Sequence, residues 1–143
     1  MRTIILAASL VALAIPAAAG EYNTGYFGNV AIEGYDTVSY FDGDPMPGDP
    51  DIAYEWKGVE WHFASAANRD KFIADPAAYA PQFGGLCTEG VAFNEISANL
   101  MPETYEIIDG KLYLNYGTYW LDLKGNLPKS EANWPGVHAL LAQ

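Results

Sequence analysis

The sequence predicts a small α+β fold, a single domain in which antiparallel hairpins pack against a few short helices. Two stretches alternate apolar and polar residues about a two-residue turn that contains glycine. A serine-led helical stretch lies between them, and proline-punctuated helical stretches follow the second. Hydrophobic residues make up 50% of the chain and aromatic residues 14%, enough apolar surface for a core without covalent staples.

In chain order, residues 1–19 stand apart. Arg2 gives a positive start, residues 4–16 are almost wholly apolar, and Ala17-Ala18-Ala19 offers small residues before Gly20. This is the pattern of a secretory signal peptide. The apolar run is shorter than the ~20 residues of a relaxed membrane span. Cleavage is therefore expected, leaving no stable membrane anchor and a periplasmic or secreted product. The remaining 124 residues suffice for one domain. Residues 20–30, rich in glycine and tyrosine, read as a partly ordered arm, and residues 31–143 as the domain proper.

Residues 42–51 (DGDPMPGDPD) hold so much Gly, Pro and Asp that a loop is expected. The first hairpin turns at Lys57-Gly58. Counting outward pairs Trp56 with Val59, Tyr54 with Trp61 and Ile52 with Phe63 on one apolar face. Glu55 then opposes Glu60, and Ala53 opposes His62, on the other face. Ser65 is placed to cap a helix that runs to about Ala74, with Phe72 and Ile73 toward the core and Pro76 as its stop. The second hairpin turns at Asp109-Gly110, pairing Ile107 with Leu112 and Tyr105 with Leu114. Thr104, Glu106, Tyr113 and Asn115 fall on its opposite face. Residues 118–124 read as a short helix closed by Gly125. Asn126 then caps another, with Pro128 in its first turn and Trp134 near its end before Pro135.

The charge narrows the partners. The net charge is −11, and without Arg2 six Lys and Arg face 18 Asp and Glu, a net of −12. Such a field repels phosphate backbones and anionic lipid surfaces, which disfavours nucleic-acid binding. A metal ion or a basic protein partner is electrostatically admissible; plain solubility also accounts for the acidity. Cys87 is the only cysteine, so no internal disulfide can form. It is a buried apolar residue, a metal ligand, a reactive thiol or half of an intermolecular bridge.

Many of these residues recur in one known pattern: Gly34-Tyr35-Asp36, Val38, Tyr40-Phe41, Trp56-Lys57-Gly58, Trp61, Phe63-Ala64-Ser65 and Asn68-Arg69-Asp70. Further matches are Phe72, Asp75-Pro76, Tyr79-Ala80-Pro81-Gln82, Gly84-Gly85, Cys87, the run from Asp109 to Tyr116, and Ala132-Asn133-Trp134-Pro135. From about residue 31 to residue 135 the chain resembles the YHS domain-containing protein family, in its exported single-domain branch, which includes selenoprotein-like members. The resemblance implies a binding module, with copper or another transition metal as the open cofactor. In short modules of that family, found in copper-transporting ATPases and some hydroxylases, a cysteine pair around a Phe-Cys-Ser segment is thought to bind metal. Here Ala64 stands at the first cysteine position and Asn68 at the second, and neither supplies a thiolate.

The remaining metal-ligand candidates are Cys87 and His62. His62 shares its strand face with Glu60 and Glu55, a set that could hold a divalent ion; a solvated histidine is the plainer alternative. For Cys87 the acidic neighbour Glu89 opposes an activated thiolate. The aspartates of residues 42–51 lack the ligand order of an EF-hand. Met46 and Met101 are too scattered to mark a thioether site. Nucleophile-elbow, zincin, phosphate-loop and dinucleotide motifs are all missing, so no catalytic machinery is identifiable and a non-enzyme is expected. Tyr35, Tyr40, Trp56, Trp61, Tyr79, Tyr113 and Trp120 fit a core, with some available to line a pocket for a planar ligand. Three functions stay open: a binding module, a thiol redox protein acting through Cys87, and an acidic protein-interaction module.

Overall fold

The computed structural model describes residues 21–25, 28–97, 101, 103–116 and 122–141. The signal-like segment and Trp120 lie outside the described residues. The fold is α+β, as expected, with three antiparallel two-stranded sheets among the described residues.

Residues expected to form a loop supply strand instead. β1 (Tyr35–Asp36) pairs with β2 (Met46–Pro47), and β3 already begins at Asp49 (Asp49–Trp56). Pro47 and Pro50 sit at exposed positions, where a strand edge tolerates a missing N–H. β3 pairs with β4 (Val59–Phe63) in the counted register from Trp56–Val59 to Ala53–His62. There the count fails. The register shifts, and Phe63 faces Asp49 rather than Ile52. The chain crosses tightly at this place: a Cβ on Gly48 would lie 2.5 Å from the His62 carbonyl carbon. A bulge in β3 accommodates that crossing.

α1 (Ala66–Ala74) starts as read, with Ser65 Oγ accepting from the Asn68 amide at 3.1 Å. Phe72 is fully buried, whereas Ile73 is 42% exposed, contrary to expectation. One residue is a 100° step around a helix, and a short helix leaning on the sheet through a single position turns its next residue outward. Asp75 caps α2 (Pro76–Tyr79), a tight turn follows over Gln82–Gly85, and α3 covers Thr88–Ala92.

β5 (Tyr105–Ile108) and β6 (Lys111–Leu114) hold every counted pair. The expected split into an apolar and a polar face is incomplete, because Tyr113 is 3% exposed and Ile107 is 38% exposed. Both faces of β6 are covered. Leu112 and Leu114 join the main core with Val59, Trp61, Phe63 and Phe72, and Tyr113 joins a second cluster with Phe83, Leu86, Val91, Leu123 and Val137. Each large buried side chain contributes about 2–3 kcal/mol through area removed from water.

The helix expected over residues 118–124 lies mostly outside the described residues, and the one expected from Asn126 to Pro135 is longer than read. α4 spans Leu123–Leu141, with Gly125, Pro128 and Pro135 inside it. Gly125 donates to Asp122 Oδ1 at 2.9 Å, as a first-turn amide does, and closes nothing. Pro128 and Pro135 are exposed, as are Lys124 and Glu131 four residues before them. The carbonyls left without a helical donor can therefore turn to water. No helix among the described residues is long and apolar enough to cross a membrane.

Within the expected partly ordered arm, Tyr22 and Asn23 are docked on the core. The Asn23 amide donates to the Gly84 carbonyl at 2.7 Å, and the Ile32 amide donates to the Asn23 carbonyl at 2.8 Å. Tyr22 packs edge-on to Trp61 with ring centres 5.0 Å apart.

Candidate functional site

Docking of that segment creates a cleft of about 400 Å³. Glu21 and Tyr22 form one wall, Trp56 and Lys57 at the first hairpin turn form another, and Phe83, Trp134 and His138 close it from the Gln82–Gly85 turn and α4. Trp134 and His138 are four residues apart and so share one helix face. Their rings lie 5.2 Å apart at 31°, and Trp134 meets Phe83 edge-on at 5.5 Å. Gly84 is a necessity here. Its φ is +61°, and a Cβ would collide with the Glu21 carbonyl oxygen. Only glycine lets the N-terminal segment approach this closely.

An ion pair, Lys57 Nζ with Glu21 Oε1, crosses the cleft's rim. The same ammonium lies 5.0 Å from the centre of the Trp56 ring and 5.9 Å from that of Tyr22. Burial, and then the Glu21 charge, push the Tyr22 phenol up to about 12, so it stays neutral over the physiological range.

Cys87 is 6% exposed and caps the five-residue α3. Its thiol donates to Asn115 Oδ1 at 2.9 Å, and its sulfur accepts from the amides of Gly90 and Tyr116, each at 3.4 Å. Asn115 Nδ2 donates to the buried carboxylate of Glu89 at 3.1 Å, and Asn126 Nδ2 reaches its other oxygen at 3.5 Å. The sulfur is thus embedded in a polar network rather than in hydrocarbon. Tyr116 beside it donates to the Gly85 carbonyl and accepts from Asn23 Nδ2 at 3.2 Å. Burial holds its phenol well above the usual range.

His62 lies elsewhere, against Gly34 and Gly48. Its side chain is 12% exposed rather than solvated, and Nε2 is 2.6 Å from Glu60 Oε1. The structure therefore places the two candidate ligands in separate polar neighbourhoods, and their hydrogen-bond partners do not overlap. Among the described residues, no group of three or more His, Cys, Asp and Glu is placed to hold a metal ion.

The positions at which the resemblance puts cysteines serve a different end. Asp36 is fully buried. Its Oδ2 accepts from the Ala64 amide at 2.9 Å and from Asn68 Nδ2 at 2.7 Å, and its Oδ1 accepts from the amides of Val38 at 2.9 Å and Ser39 at 3.3 Å. A carboxylate with four N–H donors ties β1, the end of β4 and α1 together. This donor set does not fit a soft transition metal: Ala64 offers nothing, and the Asn68 amide nitrogen is committed to Asp36.

Comparison with protein-family models, with curated proteins and with solved structures returns no match.

Of the cleft residues, the sequence marked Trp56 as available for a pocket. Nothing in the local pattern marks Glu21, Tyr22, Phe83 or His138. Trp134 figured only as a helix-end residue and part of the resemblance. The usable signal was Gly84-Gly85, a place where another segment must come close.

Proposed function

We propose that the protein is an exported, YHS-type binding module, periplasmic or secreted, that takes a small organic molecule in its aromatic cleft and performs no chemistry on it. The observation that carries this reading is the convergence of Tyr22, Trp56, Phe83 and Trp134 on one open cavity of about 400 Å³. That volume is in the range of small-molecule sites, which are mostly apolar with a few placed polar groups. Lys57, Glu21, Gln82 and His138 bring the polar groups here.

A metal version of the function has the residues against it. His62 is paired with Glu60, Cys87 is bonded to Asn115, and Asn68 is bonded to Asp36. A thiol version meets the burial of the sulfur and the absence of any cationic partner among its hydrogen bonds.

The test is a fragment screen by NMR with small planar aromatics such as indole and benzimidazole. Shifts are expected at the Trp56 and Trp134 indole N–H groups, with weakening of about tenfold in Trp134→Ala. A thermal melt of that variant checks that it folds. Shifts spread over the surface, or left unchanged in a folded Trp134→Ala protein, would end the proposal.

A further inference from the structure

The cleft already holds a cation, supplied by the chain itself. The Lys57 ammonium faces two aromatic rings, 5.0 Å from Trp56 and 5.9 Å from Tyr22, and pairs with the Glu21 carboxylate. Two ring faces and one carboxylate around a positive charge form the arrangement by which proteins recognise organic ammonium ions. We infer that the cleft selects small organic cations of the quaternary or methylated ammonium class, and that Lys57 is a resident stand-in that such a ligand displaces. This rests on the cleft being a ligand site.

Three features support displacement. Lys57 and Glu21 side chains are each 42% exposed, and an ion pair that open contributes little, at most about 1 kcal/mol. Lysine also carries a tightly hydrated primary ammonium on a flexible stem, so leaving the rings for water costs it little. A quaternary ammonium, more weakly hydrated, gains more from the same ring faces and leaves its remaining apolar surface for Phe83 and Trp134. The field of the whole molecule acts in the same direction. A net charge of −11 raises the local concentration of cations and lowers that of anions.

Calorimetric titration of the intact protein with choline, and with its neutral carbon isostere carrying a tert-butyl group in place of trimethylammonium, tests the inference. Choline is expected to bind about tenfold more tightly than the isostere. Lys57→Met should tighten choline binding about fivefold by removing both the plug and a like charge, and Glu21→Gln should weaken it by a similar factor. Both substitutions fall on half-exposed side chains, so folding is not at stake. Equal binding of choline and the isostere, or weaker choline binding in Lys57→Met, overturns the cation selectivity while leaving an aromatic ligand site in place. No choline binding by a protein that still takes aromatic fragments at Trp134 overturns it too. Failure of both ligand types removes the cleft reading along with this one.

Discussion

At the scale of single residues, two buried acids and one thiol show how this chain handles polarity without opposite charges. Asp36 is satisfied by four N–H donors, and Glu89 by the amides of Asn115 and Asn126. Asp36→Asn sets an NH₂ group against donors that expect an acceptor. It should cost about 2–4 kcal/mol, read as a lower urea midpoint with an unchanged m-value. A loss under about 0.5 kcal/mol would mean that the clamp is dispensable. Cys87 should alkylate on the order of a hundredfold more slowly in the folded protein than in denaturant, because its sulfur is buried and hydrogen-bonded. Rapid native alkylation would reinstate the redox reading. None of this pairing was legible in the sequence. Asp36 meets Asn68 across 32 positions and Cys87 meets Asn115 across 28, and no local pattern records such partners.

Among the secondary elements, the hairpins were the most legible part. Lys57-Gly58 and Asp109-Gly110 fix where counting begins, and alternation does the rest until Gly48 crosses β4 and shifts the register. α4 was the least legible. Proline and glycine rules divide it at Gly125 and Pro135, yet a surface helix with one buried stripe tolerates both at exposed positions. The docking of the N-terminal segment is hidden for another reason. Its Gly-Tyr composition reads as a partly ordered arm, and only the fit of Glu21 and Asn23 against Gly84 reveals which part is docked. Gly84→Ala should separate them, since it both strains a positive φ and intrudes on the Glu21 carbonyl. More than about 2 kcal/mol of stability should be lost. Hydrogen exchange should show newly exposed amides at Asn23 and Ile32; continued protection there would contradict the account.

For the whole molecule, the tyrosines set the alkaline limit. Tyr22, Tyr40, Tyr113 and Tyr116 all have phenols raised, chiefly by burial. A raised folded pKa means that the folded chain keeps protons which the unfolded chain releases. The stabilisation is complete below the unfolded value of about 10 and is lost as pH rises through the folded values. The urea midpoint should therefore be insensitive to these groups below about pH 9 and fall steeply above pH 10, with phenolate absorbance appearing as the protein unfolds. Free titration of these four tyrosines near pH 10 in a still-folded protein would show that their phenols are open to water. The fold class was legible at this scale because it follows from element order and composition. The cleft was not, because it exists only in the assembled fold.

Glu21 and His138 border the same cavity although 117 positions separate them. A ribosome cannot complete the cavity until both stretches have been made, so any ligand must wait for α4 to follow the rest of the lining. A molecule lodged there would fasten the segment that carries Glu21 and Tyr22 to the helix that carries Trp134 and His138.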